Sequence, residues 1–326
     1  MGTQSQESVS RMGDRRVVVR AACLAMAVAC AAVTAACTTA SNRPTVPAPA
    51  GRAAITVGSF NFPESVLLAY LYADALAAKG YPVRVLPDLG TRELVDAALM
   101  EGLVQVVPEY TGAALQFVSL GRVNATSSVT ATASALARSM TGRGLVTGHP
   151  AAAQDGNAIV VTAATAARYR LRTISDLARV AGHLIFGGPP ECVERPSCLP
   201  GLKLSYGLRF REFVPLDSGG PLTLQALTGG DINVALLFTT DPAIRSQHLV
   251  VLADNRNLQP AQNVVPVLRR ATVDRFGTGL LAALNAVSAR LSNAALAALD
   301  TQVELDGRAP RAVAERWLQA QGLETP

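Results

Sequence analysis

ITVGSFNFPES, residues 55–65, opens the stretch that decides the fold, followed by DLGTRELVDAALMEG at 88–102 and VQVVPEYTGAAL at 104–115. Each short apolar run has the length of a buried strand, and each is followed by a segment whose apolar residues recur at helical spacing. The order is strand, helix, strand, helix, strand, with polar or aromatic residues at the strand ends. In an open α/β sheet ligands bind beyond the carboxyl ends of the strands, so function is expected there.

The same alternation continues outward. Helical spacing is clear in 64–79, 92–100, 127–140, 222–227 and 277–298. Apolar runs at 54–57, 83–86, 104–107, 158–161, 183–186, 234–238 and 249–252 read as buried strands. The pattern predicts an α/β fold with largely parallel sheets.

The N-terminus reads as an export signal. Arginines 11, 15, 16 and 20 precede an apolar run at 21–36 of about 16 residues, short of the roughly 20 that span a bilayer. Thr34-Ala35-Ala36-Cys37 resembles a bacterial lipobox, which predicts a signal peptide at 1–36 and lipid on Cys37; the rival is simple cleavage after small residues. TASNRPTVPAPAGR at 39–52 is rich in Pro, Ala and polar residues and is expected to form a flexible tether within 37–52. The protein is therefore expected outside the cell, anchored to the outer face of the membrane. The net charge is +5, but four arginines against Glu7 and Asp14 place two of those charges before Ala21. The remainder is mildly basic, with no basic patch interleaved with aromatics, so no nucleic-acid partner is expected.

Cys192 and Cys198 are the only cysteines after Cys37. In an exported chain a pair closing a short loop reads as a disulfide. A metal site is the rival, but no further Cys or His lies nearby and zinc needs three or four protein ligands. His149, His183 and His248 are single and unpartnered, and neither metal nor cofactor is expected. The one tempting catalytic motif is Asp217-Ser218-Gly219-Gly220-Pro221, like the nucleophile segment of chymotrypsin-type proteases. Those need a histidine and an aspartate delivered from a double β-barrel, whereas the surroundings here are α/β in pattern. The simpler reading is a turn in which Asp217 or Ser218 caps the following helix.

The order and wording of the motifs resemble the osmoprotectant-binding proteins of ABC importers, which bind glycine betaine, choline or carnitine. The resemblance rests on Val57, Gly58, Ser59, Phe62 and Glu64, on Gly90-Thr91, and on Glu109-Tyr110-Thr111-Gly112. Downstream, GLKLSYGLRF (201–210), LLFTTDPAI (236–244), VVLADN (250–255) and NVVPVLRR (263–270) extend it over nearly all of the chain from about residue 53. It implies an α/β, two-lobe type II periplasmic-binding-protein fold with a cleft between lobes, 53–156 plus 265–326 forming one and 157–264 the other. It also implies a monomer that delivers a small polar solute to permease and ATPase subunits, and no enzymatic activity.

The same resemblance implies the site. Tyr110 matches a cage tyrosine, Asp155 an aspartate that precedes the next one, and Arg195 an arginine that clamps the solute's anionic end. Three of the family's tyrosines fall on Asn157, Phe238 and, approximately, Gln262. Two rings, Tyr110 and Phe238, make a weak cage for trimethylammonium, so glycine betaine is expected to bind weakly, and the amides favour hydroxyls or carbonyls. A polyol or a polar aromatic compound is the alternative solute. A cell-envelope serine hydrolase using Ser218 is the alternative from another class.

Overall fold

The computed structural model describes residues 54–324; the leader, Cys37 and the proline-rich segment lie outside the described residues. In chain order the first elements are β1 (Ile55–Gly58), α1 (Pro63–Ala77), β2 (Val83–Leu86), α2 (Arg92–Glu101), β3 (Val106–Tyr110), α3 (Thr111–Val118), α4 (Val129–Thr141) and β4 (Leu145–Thr147). Then come β5 (Asn157–Val161), α5 (Ala163–Tyr169), β6 (Ile185–Gly188), α6 (Leu199–Tyr206), β7 (Glu212–Pro215), α7 (Pro221–Gly229), β8 (Val234–Phe238), α8 (Pro242–Ser246) and β9 (Val250–Val251). The last are β10 (Val264–Arg269), α9 (Arg270–Phe276), α10 (Gly279–Ser288), α11 (Asn293–Asp300) and α12 (Pro310–Ala320).

The strands form two five-stranded sheets, ordered β2-β1-β3-β10-β4 and β7-β6-β8-β5-β9. Four of the eight pairings are antiparallel, all of them made by β5 or β10, so the sheets are mixed rather than largely parallel. The reason is topological: β5 and β10 are the strands by which the chain enters a sheet directly from the other one, without a helical crossover. The passages run from Thr147 to Asn157 and from Val251 to Val264. They touch each other, since Gln154 pairs with Asn263 and the Asp155 N–H donates to the Gln262 carbonyl at 3.1 Å.

Both faces of the second sheet are covered. Along β5, Ile159 and Val161 pack with Phe186 and Leu236 on one face, while Ala158 and Val160 pack with Leu227 and Leu237 on the other. That is the period-2 alternation of a strand buried on both sides. Around the first sheet, α1 supplies Leu67, Leu68, Leu71, Tyr72 and Leu76 to a core that also takes Leu280 and Leu284 of α10 and Leu318 of α12. The apolar run at 277–298 reads as one helix, but the structure breaks it into α10 and α11, with an 83° bend between them. Ser292 is the physical cause, its hydroxyl accepting from the Ala295 N–H at 3.2 Å as a fresh helix cap.

Candidate functional site

A cavity of about 410 Å³ lies between the two sheets, at the strand ends. Tyr110 is the last residue of β3 and Phe238 the last of β8, while Asn157, paired with Phe238, is the first of β5. All six expected site residues, Tyr110, Asp155, Asn157, Arg195, Phe238 and Gln262, line it.

Phe60 and Phe62 are presented by the turn after β1. The Phe60 N–H donates to Ser65 Oγ at 2.9 Å and the Asp88 N–H to Ser59 Oγ at 3.0 Å, which fixes the turn. Phe62 takes the extended N-cap position, and Pro63 starts α1 where a missing N–H costs nothing. The Phe62 ring centroid lies 5.2 Å from that of Phe238 and 6.1 Å from that of Tyr110. Three rings therefore meet where the sequence predicted two, and Phe60 and Phe117 also line the cavity. Phe62 was visible in the sequence as part of a motif, but nothing there places it between rings carried by the two different sheets.

The amides are partly engaged. Asn157 Nδ2 donates to the Ser197 carbonyl at 3.3 Å, and Gln262 Oε1 accepts from the Ala113 N–H at 2.9 Å. Gly112 lets α3 approach this passage, since a Cβ there would stand 2.6 Å from the Ala261 carbonyl oxygen. Arg195 sits in the loop closed by the Cys192–Cys198 disulfide. Its Nη2 meets Glu93 Oε1 of α2 at 2.6 Å, and its guanidinium lies 5.4 Å from the Phe117 ring centroid. That contact ties the disulfide loop to α2 beside the cavity. Arg92 is held by Glu109, through Nη2 to Oε2 at 3.0 Å and Nε to Oε1 at 3.1 Å, and lies 4.8 Å from the Phe60 ring centroid.

Behind the rings lie two buried acids, Asp155, which was expected at the site, and Glu64, which the sequence showed only as part of a motif. Glu64 accepts from the Tyr110 hydroxyl and, at 2.8 Å, from Thr240 Oγ1 in the turn after β8. Asp155 Oδ1 accepts from Thr239 Oγ1 at 3.1 Å and from the Thr240 N–H at 3.0 Å. Burial pushes the Glu64 carboxyl up, and burial followed by the nearby Glu64 charge pushes Asp155 and the Tyr110 phenol well up. The two arginines lining the cavity are both paired with carboxylates, whereas Asp155, Glu191 and Glu194 also line it. Neither arginine on the lining is therefore left unpaired to meet an anion.

Ser218 lines the cavity, but Asp217 is used on the N-terminus of α7, accepting from the Leu222 and Thr223 N–H groups, each at 2.9 Å. Gly219 turns the chain at φ +66° against the Phe238 ring. The DSGGP motif is a helix cap and turn.

The family profile of the substrate-binding domain of ABC-type glycine betaine transport systems matches residues 53–320. Among curated proteins, the chain is 27% identical over 283 residues to the glycine-betaine-binding protein of Pseudomonas aeruginosa PAO1, covering 82% of this chain and 88% of that one. It is 25% identical over 278 residues to the glycine betaine-binding protein YehZ of Escherichia coli K12, covering 82% and 90%. A crystal structure of a glycine betaine/carnitine/choline ABC transporter protein superposes with a TM-score of 0.65 at 21% identity, over 83% of this chain and all of that one. Lactococcal OpuAC, closed around glycine betaine, gives 0.59 at 14% identity over 83% and 96%. These likenesses, with two mixed sheets around a ring-lined cavity, mean that the chain belongs to the family of substrate-binding proteins of ABC-type glycine betaine importers, which bind small solutes for a permease and an ATPase and are not enzymes.

Proposed function

We propose that this chain captures a quaternary-ammonium osmoprotectant, such as glycine betaine or choline, in the cavity between Tyr110, Asp155, Asn157, Arg195, Phe238 and Gln262. The observation that carries the reading is the junction of Phe62, Tyr110 and Phe238, with ring centroids 5.2 and 6.1 Å apart, in front of buried carboxylates. Ring faces attract a desolvated ammonium by about 0.5–2 kcal/mol each. A polyol is less well served, because Asn157 and Gln262 already make protein hydrogen bonds.

In this reading 53–156 with 265–326 and 157–264 are the two lobes, closing about the paired passages at Gln154 and Asn263. Arg195 swings in with the disulfide loop to shut the mouth against Glu93. The protein is exported and anchored by lipid on Cys37 at the outer face of the membrane. The segment 37–52 tethers it near its permease, which raises effective concentration. A thermal-shift panel of glycine betaine, choline, carnitine, mannitol and tryptophan tests the solute class, since a compound that binds only the native state raises its melting temperature. Stabilisation by the ammonium compounds is expected; stabilisation by mannitol or tryptophan alone rejects it.

A further inference from the structure

The segment Phe62-Pro63-Glu64 touches both sheets twice. At Phe62 the ring lies between Tyr110, the last residue of β3, and Phe238, the last of β8, with centroids 6.1 and 5.2 Å away. Two residues on, in the first turn of α1, Glu64 meets Tyr110 again, together with Thr240, which lies two residues beyond Phe238. Glu64 Oε1 accepts from the Tyr110 hydroxyl and Oε2 from Thr240 Oγ1 at 2.8 Å. The rings form the front layer of this junction and the carboxyl group the rear one, and Tyr110 belongs to both.

Local sequence places the rear layer. Pro63 fixes φ at the start of α1 and has no N–H to satisfy, and an acid in the first turn suits the positive end of the helix. Thr240 is held from its other side by the first passage: its N–H donates to Asp155 Oδ1 at 3.0 Å, the oxygen that also accepts from Thr239 Oγ1 at 3.1 Å. Glu64 is 4% exposed, so water is no ready substitute for either hydroxyl. Neither Glu64 nor Thr240 is on the cavity lining. Any effect they have on a solute must pass through Tyr110 and through the approach of the two sheets.

We propose that Glu64 is a positioning residue of the solute cavity: by accepting from Tyr110 and Thr240 at once, it sets the Tyr110 ring and fastens the segment after Phe238 to the start of α1. The ring junction is thus clasped from behind. The pair of Arg195 and Glu93 is half open to solvent, with side chains 23% and 50% exposed, whereas this clasp is buried. When the sheets part, Thr240 withdraws from Glu64 and water takes its place; closure restores the bond. The effect on binding rests on the solute site and closing motion proposed above; the relay from Thr240 to Tyr110 does not.

The test removes the Thr240 hydroxyl and keeps its shape, as Thr240→Val in the full chain. Without solute, protein carrying tyrosine labelled with carbon-13 at Cζ gives a signal for each of six tyrosines, and that of Tyr110 is the one lost in Tyr110→Phe. Thr240→Val is expected to move the Tyr110 signal, and Thr240→Ser, which keeps the hydroxyl, to leave it in place. With choline as the probe, calorimetry is expected to show affinity lower by about 2- to 10-fold in Thr240→Val, the range of one net hydrogen bond, and restored in Thr240→Ser. An unmoved Tyr110 signal overturns the proposal, and so does a moved signal with choline affinity unchanged. Should Thr240→Val not fold, Thr240→Ala is read in the same two ways. If choline gives no heat with wild type, the solute reading has failed, and the carbon-13 comparison still decides whether Glu64 couples Thr240 to Tyr110.

Discussion

Arg195 can act on the solute directly or by latching the lobes, and the structure gives magnitudes that separate the two. Its guanidinium meets Glu93 at 2.6 Å, with the two side chains 23% and 50% exposed. A pair so near solvent contributes about 0.2–1 kcal/mol, and the guanidinium over Phe117 adds about 0.5–1 kcal/mol. Glu93→Gln should therefore weaken binding by about 1.4- to 5-fold and Arg195→Ala by about 3- to 30-fold, taking roughly 1.4 kcal/mol per decade. The assay is a double-mutant cycle by calorimetry with glycine betaine and with choline. A latch acts on closure, so both solutes should weaken alike and the two substitutions should be non-additive by the pair energy. Loss of glycine betaine affinity with choline spared, and no coupling to Glu93, would refute the latch and show that Arg195 meets the solute's carboxylate.

Three other outcomes follow from the same geometry. Cys192 and Cys198 close a loop across six positions, so Cys192→Ala/Cys198→Ala should cost about 2–3 kcal/mol by the chain-entropy relation; urea titration checks it, and wild type with reductant should match the variant. Asp74 of α1 is pushed up to about 6 by burial, against the pull of Arg311. Its stabilising contribution is thus present in the protonated form and lost as pH rises through that value, so Asp74→Asn should raise the melting temperature at about pH 8 and leave it unchanged at about pH 3. Cys37→Ala should move the protein from the membrane fraction to the soluble one; unchanged partitioning would argue against lipid anchoring.

The alternation of strands and helices was legible because buried strands here are nearly unbroken apolar runs, as in ITVG and VALLF. β7, Glu212–Pro215, went unread since as an edge strand it carries no such run. The split between α10 and α11 hid for the opposite reason, as both flanks are apolar and only Ser292 marks the cap. At the site, residues at strand ends were found from the motifs they sit in, and the cavity gathers all six. What the sequence withheld was tertiary: Phe62 between Tyr110 and Phe238, Glu93 facing Arg195, and Glu64 bonded to both Tyr110 and Thr240.

The central claim is that the rings of Phe62, Tyr110 and Phe238 hold an ammonium group. Calorimetric titration of glycine betaine and choline into wild type and Phe62→Ala tests it most directly. Removing one ring should cost about 0.5–2 kcal/mol, a loss of about 2- to 30-fold in affinity for both solutes. Undiminished binding in Phe62→Ala, or no heat from either solute in wild type while mannitol binds, would contradict it.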